Sequence, residues 1–170
     1  MKYTSAEAAK LLRKLNENLD ALNEKERRSA DFVAAVGEEI EDVRPEYDYR
    51  KTQDEIAQIE QKIRTVKHAI NQFNTRTVVQ DFDMTVDQIL VYIPQLTAKK
   101  GKLSRMAARL PKERCGASGF GAKTIIEYRY ANYDIAAVEA DLDAVTEELA
   151  RAQTALDVVN NREVMDISFD

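Results

Sequence analysis

The sequence predicts a mainly α protein, a bundle of long antiparallel coiled-coil helices with a small β arm, and three observations predict it. Apolar residues recur at three- and four-residue spacing in four separate segments. Threonine-led capping boxes stand at the heads of two of them. The composition, 44% hydrophobic and 32% charged with only 5 Gly and 3 Pro in 170 residues, suits long charged helices rather than disorder or a turn-rich sandwich. Domains cluster near ~100 to 150 residues, so residues 1–170 are expected to form a single helical domain.

The first helix is expected over 5–28. Thr4 and Glu7 have the spacing at which a hydroxyl and a carboxylate each satisfy a free backbone N–H. Behind them Ala8, Leu12, Leu15, Leu19 and Leu22 lay one narrow apolar stripe along one face. Residues 29–45 break this period. An apolar piece over 32–36 is a candidate extended segment, Gly37 can turn, and an acidic run leads to Pro45, which suits the first turn of a second helix because its missing N–H costs nothing there. That helix, over 46–73, carries the strongest seam: Thr52, Ile56, Ile59, Ile63, Val66, Ile70 and Phe73. At ~1.5 Å per residue it would be about 42 Å long.

Residues 76–80 hold Thr77, Val78 and Val79, β-branched and strand-like. Thr85 with Gln88 opens a third helix over 86–110, whose stripe runs through Val86, Ile89, Ile93, Leu96, Leu103 and Leu110. Pro94 lies inside it and cannot donate to the carbonyl of Leu90, which predicts a kink, with a second loosening at Gly101. Over 124–130, Thr124, Ile126, Tyr128 and Tyr130 alternate with Ile125, Glu127 and Arg129, a strand for which the segments near 32 and 78 are candidate partners. Asp134 caps a last helix over 135–160, with Val138, Leu142, Val145, Leu149, Ala152 and Leu156 on its stripe. The tail from Arg162 holds Val164, Met165, Ile167 and Phe169, too apolar to be left in water, and is expected to dock.

This order of elements resembles the septicolysin-like family of small bacterial proteins. The resemblance rests on Ile70, Asn71, Asn74 and Thr77 closing the second helix, on Thr85, Val86 and Asp87 opening the third, and on the strand, the Asp134 cap and the final heptad helix ending at Asn160. It implies a mainly helical fold and homo-oligomers, hexamers among them, with no assigned activity. The family name suggests a membrane-active toxin, kept here as the alternative function. A tryptophan-bearing end of relatives is missing, as this chain has no Trp.

Chemistry is sparse. Gly116 to Thr124 comes close to a phosphate-binding loop, with Gly116 and Gly121 well spaced, but Lys123 arrives one residue late. A helix precedes it and a strand follows, the reverse of the order that aims amides and a helix N-terminus at an anion, so a plain connection is favoured. His68, the only histidine, lies off the apolar seam and is read as facing solvent. Cys115 has Arg114 beside it but no histidine or orienting carboxylate to make it a nucleophile. No Cys or His spacing suggests zinc. No catalytic, cofactor-binding or metal residue is assigned, no cofactor is expected, and the sequence leans away from an enzyme.

The net charge of −5 argues against nucleic acid as a partner, and no apolar run approaches the roughly 20 residues of a membrane span, so neither a nucleic acid nor a membrane is expected. A lone cysteine and an N-terminus without an apolar stretch point to the cytoplasm. Charge is nonetheless segregated: residues 97–114 hold seven basic and one acidic side chain, and 134–159 hold seven acidic and one basic. Such segments attract, which is read as helix pairing within one chain or between subunits rather than as a patch for nucleic acid or lipid. The expected role is an oligomeric structural or interaction protein whose partners are copies of itself and a further protein.

Overall fold

The computed structural model describes residues 1–115 and 126–169. Its elements run in the order β1 (Lys2–Thr4), α1 (Ser5–Ser29), α2 (Ile40–Val43), α3 (Tyr49–Arg76), β2 (Val78–Val79), β3 (Met84–Thr85), α4 (Val86–Ala107), β4 (Lys112–Arg114), β5 (Tyr128–Tyr130), α5 (Ile135–Arg162) and β6 (Val164–Asp166). The protein is therefore mainly helical, with three small antiparallel sheets of two strands each among the described residues.

The local signals act where the side-chain chemistry requires. The Thr4 hydroxyl accepts from the Glu7 N–H at 3.2 Å while the Glu7 carboxylate accepts from the Thr4 N–H at 2.8 Å, so both boxed donors at the head of α1 are satisfied. Thr85 and Gln88 do the same for α4. At α5 the Asp134 carboxylate accepts from the Ala136 N–H at 2.9 Å. Helix α4 stays helical through both Pro94 and Gly101, and ends at Ala107 rather than 110.

The backbone groups into two compact units, Met1–Thr77 with the end of the chain from Val158, and Val78–Asp157. In the first, α1 and α3 pack as an antiparallel hairpin around Ala8, Leu15, Ile63, Val66 and Phe73. The tail closes it: β6 pairs antiparallel with β1, Tyr3 opposite Met165, and the Ile167 N–H donates to the Met1 carbonyl at 2.9 Å. Alternation along an extended chain then turns Met165 and Ile167 inward, both buried, and leaves Val164 and Asp166 outside. The expected docking of the tail is thus real, and its partner is the first strand, too short at three residues to show an alternation in the sequence.

In the second unit α4 and α5 run antiparallel. The Tyr92 hydroxyl donates to Glu148 at 2.5 Å near one end, and the Tyr133 hydroxyl donates to the Met106 carbonyl at 2.9 Å near the other. Along this pairing Leu96, Leu103, Val138, Val145, Leu149 and Ala152 form one apolar cluster, flanked by Phe82 and Leu142. Ahead of α4, a tight turn ending at Asp83, which takes a left-handed conformation with φ of 49°, folds β3 back on β2 and buries Val79.

Several expectations are corrected. The second long helix begins at Tyr49, capped by Asp48, so Pro45 lies outside it. Segment 32–36 is not a strand: Gly37 at φ +95° turns the chain, and the Glu38 carboxylate takes the Ala35 N–H at 2.7 Å, leaving the short helix α2 as the regular element of the connector. Strand β5 pairs with β4, not with the segments near 32 or 78. The earlier part of the expected 124–130 strand, at Thr124 and Ile125, and the Gly-rich loop from Gly116 lie outside the described residues.

Candidate interaction surface

No buried polar or charged residue lies in the core, and no group of three or more His, Cys, Asp or Glu side chains gathers as metal ligands among the described residues. His68 is exposed and pairs with Gln72 at 2.9 Å. Cys115 is a half-buried free thiol whose N–H donates to the Glu127 carbonyl at 2.9 Å, a ladder bond continuing the β4–β5 pairing. These two residues sit in different units, and among the described residues neither belongs to a cluster of His, Cys, Asp or Glu. No described helix is long and apolar enough to cross a membrane.

What the chain does present is surface. In the connector of the first unit Phe32, Val33, Val36 and Ile40 are exposed, Val33 to 93%, with the Arg44 guanidinium 5.8 Å from the Phe32 ring centre. The connector is tied back through Glu26, whose carboxylate accepts from the Tyr47 hydroxyl at 2.6 Å and from the Gln53 side-chain amide at 2.7 Å. That bond to a carboxylate, with desolvation second, pushes the Tyr47 phenol up to about 12.

In the second unit the β4–β5 ribbon places Lys112 opposite Tyr130 and Arg114 opposite Tyr128, so two cations and two rings share one face, while Glu113 and Arg129 share the other. The Lys112 ammonium stands 4.2 Å from the centre of the Tyr128 ring and 5.6 Å from that of Tyr130. Leu110, Ile126 and both tyrosines remain exposed, Tyr130 to 61%. Sequence reading found the tyrosine strand by its alternation but not β4, because Lys-Glu-Arg is charged throughout and carries no alternation.

The segregated charges do not meet within the unit. Helices α4 and α5 pack through their apolar stripes, and among the described residues no ion pair joins the cations of 99–114 to Glu139, Asp141, Asp143, Glu147 or Glu148. Lys102 and Arg105 of α4 and Glu139, Asp143 and Glu147 of α5 face outward instead, while Glu148 turns toward α4 and accepts from the Tyr92 hydroxyl.

A mainly helical protein of paired helices tied by two-stranded ribbons is the class that this geometry defines. No protein-family profile and no curated protein matches the sequence. Among solved structures, the crystal structure of a functionally unknown conserved protein from Corynebacterium diphtheriae is similar, with a TM-score of 0.60 over 98% of this chain and 100% of that one at 17% identity. At that identity the likeness is one of fold alone.

Proposed function

We propose that the chain is a homo-oligomeric helical scaffold, built on coiled-coil-like seams, whose remaining surface recruits another protein in the cytoplasm. The observation that carries this reading is the amount of large apolar side chain that each unit leaves in water: the connector residues Phe32, Val33, Val36 and Ile40 in one, and Leu110, Ile126, Tyr128 and Tyr130 in the other. Scattered exposed apolar residues need no explanation, but groups of three or four on one short segment are what protein interfaces cover. A unit two helices thick gives each helix one buried stripe only, so further apolar surface finds cover by association. The septicolysin-like resemblance, with the homo-oligomers and hexamers it implies, belongs to the same proposal.

Sedimentation of the chain at micromolar concentration tests it. Assemblies larger than the monomer are expected, and a stable monomer defeats the reading. Replacing Val33 and Val36 by Asp is expected to abolish capture of a further partner from lysate of the native host while the helix signal in circular dichroism stays unchanged.

A further inference from the structure

The outer faces of α4 and α5 are unpartnered, and they complement one another. On the side of α4 away from Ile89, Leu96 and Leu103, the exposed Leu90, Val91 and Pro94 are followed by Lys102 and Arg105, with the exposed Arg109 just past the end of the helix. On the side of α5 away from Val138, Val145 and Leu149, the exposed Glu139, Asp143 and Glu147 recur every four residues, with Ala136, Ala140 and Ala150 between and beside them. At ~1.5 Å per residue the acidic stripe is about 12 Å long, opposite in sign to the basic side chains at the end of α4.

Both faces carry a cost. Like charges at i,i+4 repel along a helix, and Glu139, Asp143 and Glu147 form such a series, with Arg151 one turn beyond Glu147 as the cation that continues it and no described ion pair made by the three. Gly101 weakens α4, yet no described residue comes within 4 Å of where its Cβ would stand, so the packing of this chain does not require a glycine. A missing side chain on an outward helix face lets another backbone approach closely, and the alanines of α5 offer the same on the opposite side.

Resting on the reading that the chain self-associates, we propose that the outer basic face of α4 docks on the outer acidic face of α5 of a second copy. Each face points away from the other helix of its own pair, so one neighbour cannot cover both. The contact is therefore heterologous, and its repetition closes a ring or extends a filament. A polyanion is the weaker occupant for the basic stripe, because the net charge of −5 repels it and a matching acidic face is present in every copy.

Two triple variants test the contact: Lys102→Glu and Arg105→Glu on α4 with Arg109→Glu just beyond it, and Glu139→Lys, Asp143→Lys, Glu147→Lys on α5. Each alone is expected to weaken self-association by on the order of 100-fold or more in sedimentation, as like charges then face each other. Mixing the two restores assembly, since the native α4 of one meets the native α5 of the other and the two reversed faces also meet. Gly101→Leu serves as a second probe, strengthening the helix while blocking close approach, and is expected to reduce assembly with the fold intact by circular dichroism. If the wild-type chain assembles and all three variants assemble as tightly, this interface is overturned and the scaffold reading stands. A wild-type monomer defeats both. Unchanged assembly together with loss of binding to a single-stranded oligonucleotide in the α4 variant overturns the contact in favour of a polyanion face.

Discussion

Individual side chains set the first scale at which the protein can be probed. Thr85 starts α4 by satisfying the Gln88 N–H, so Thr85→Ala is expected to destabilise the fold by about 1 kcal/mol in urea denaturation. Ile89 is fully buried beside Val86, and Ile89→Ala is expected to cost about 2 to 5 kcal/mol by the same measurement, the spread reflecting how far the site collapses. Tyr47 reports on the connector. Its phenol is held up to about 12 by the Glu26 carboxylate, while in the unfolded chain it ionises near its ordinary 10. Because the folded state keeps the proton that the unfolded state releases, this bond stabilises the fold fully below pH ~10 and is lost as pH rises through about 12. Phenolate absorbance is expected to show a late-titrating tyrosine that Tyr47→Phe removes. The Tyr92 phenol is raised too, by its bond to Glu148, so one late step remains in that variant.

Elements show where local preference and tertiary context divide the work. Stripes and caps placed α1, α4 and α5 to within a few residues because an N-cap hydroxyl or carboxylate acts on donors three residues away, information wholly contained in the segment. The start of α3 escaped this reading: Pro45 was the better-known starter, yet the Asp48 carboxylate accepts from the Lys51 N–H at 3.1 Å and begins the helix there. Strands were harder. A ribbon needs a partner, and neither Lys2–Thr4 nor Lys112–Arg114 carries a pattern of its own, so β1 and β4 were invisible until pairing made them. Helix α4 tolerates Pro94 and Gly101 in its interior. Pro94→Ala is expected to stabilise by up to about 3 kcal/mol, and Gly101→Ala by about 1 kcal/mol, measured in urea at dilution. Gly101→Ala gains because nothing described stands within 4 Å of the added methyl group.

At the scale of the whole molecule, the opposite charges of residues 97–114 and 134–159 were legible by counting, but their use was not. Attraction between two helices of one chain was a fair expectation, and the apolar stripes do bring α4 and α5 together. With Leu96 and Leu103 claiming the inward side, Lys102 and Arg105, one residue before and two residues after Leu103, are carried to the far side of the helix, and no described ion pair joins them to the carboxylates of α5. Assembly through those faces is expected to loosen as salt rises, because at about 1 M the Debye length falls to about 3 Å; an apolar contact would hold or tighten. Sedimentation across a salt series separates the two.

The sequence by itself determined that the protein is mainly helical and where most of its helices begin, because helical periodicity and capping are interactions over three or four residues. It also determined that the tail would dock, and docking buries Met165 and Ile167 while Val164 and Phe169 stay exposed. Only the tertiary structure decided that β1 pairs with β6 and β4 with β5, and that Lys102 and Arg105 of α4 and the acidic stripe of α5 look outward. Each of those depends on contacts between residues far apart in the chain, for which a single sequence carries no local signal.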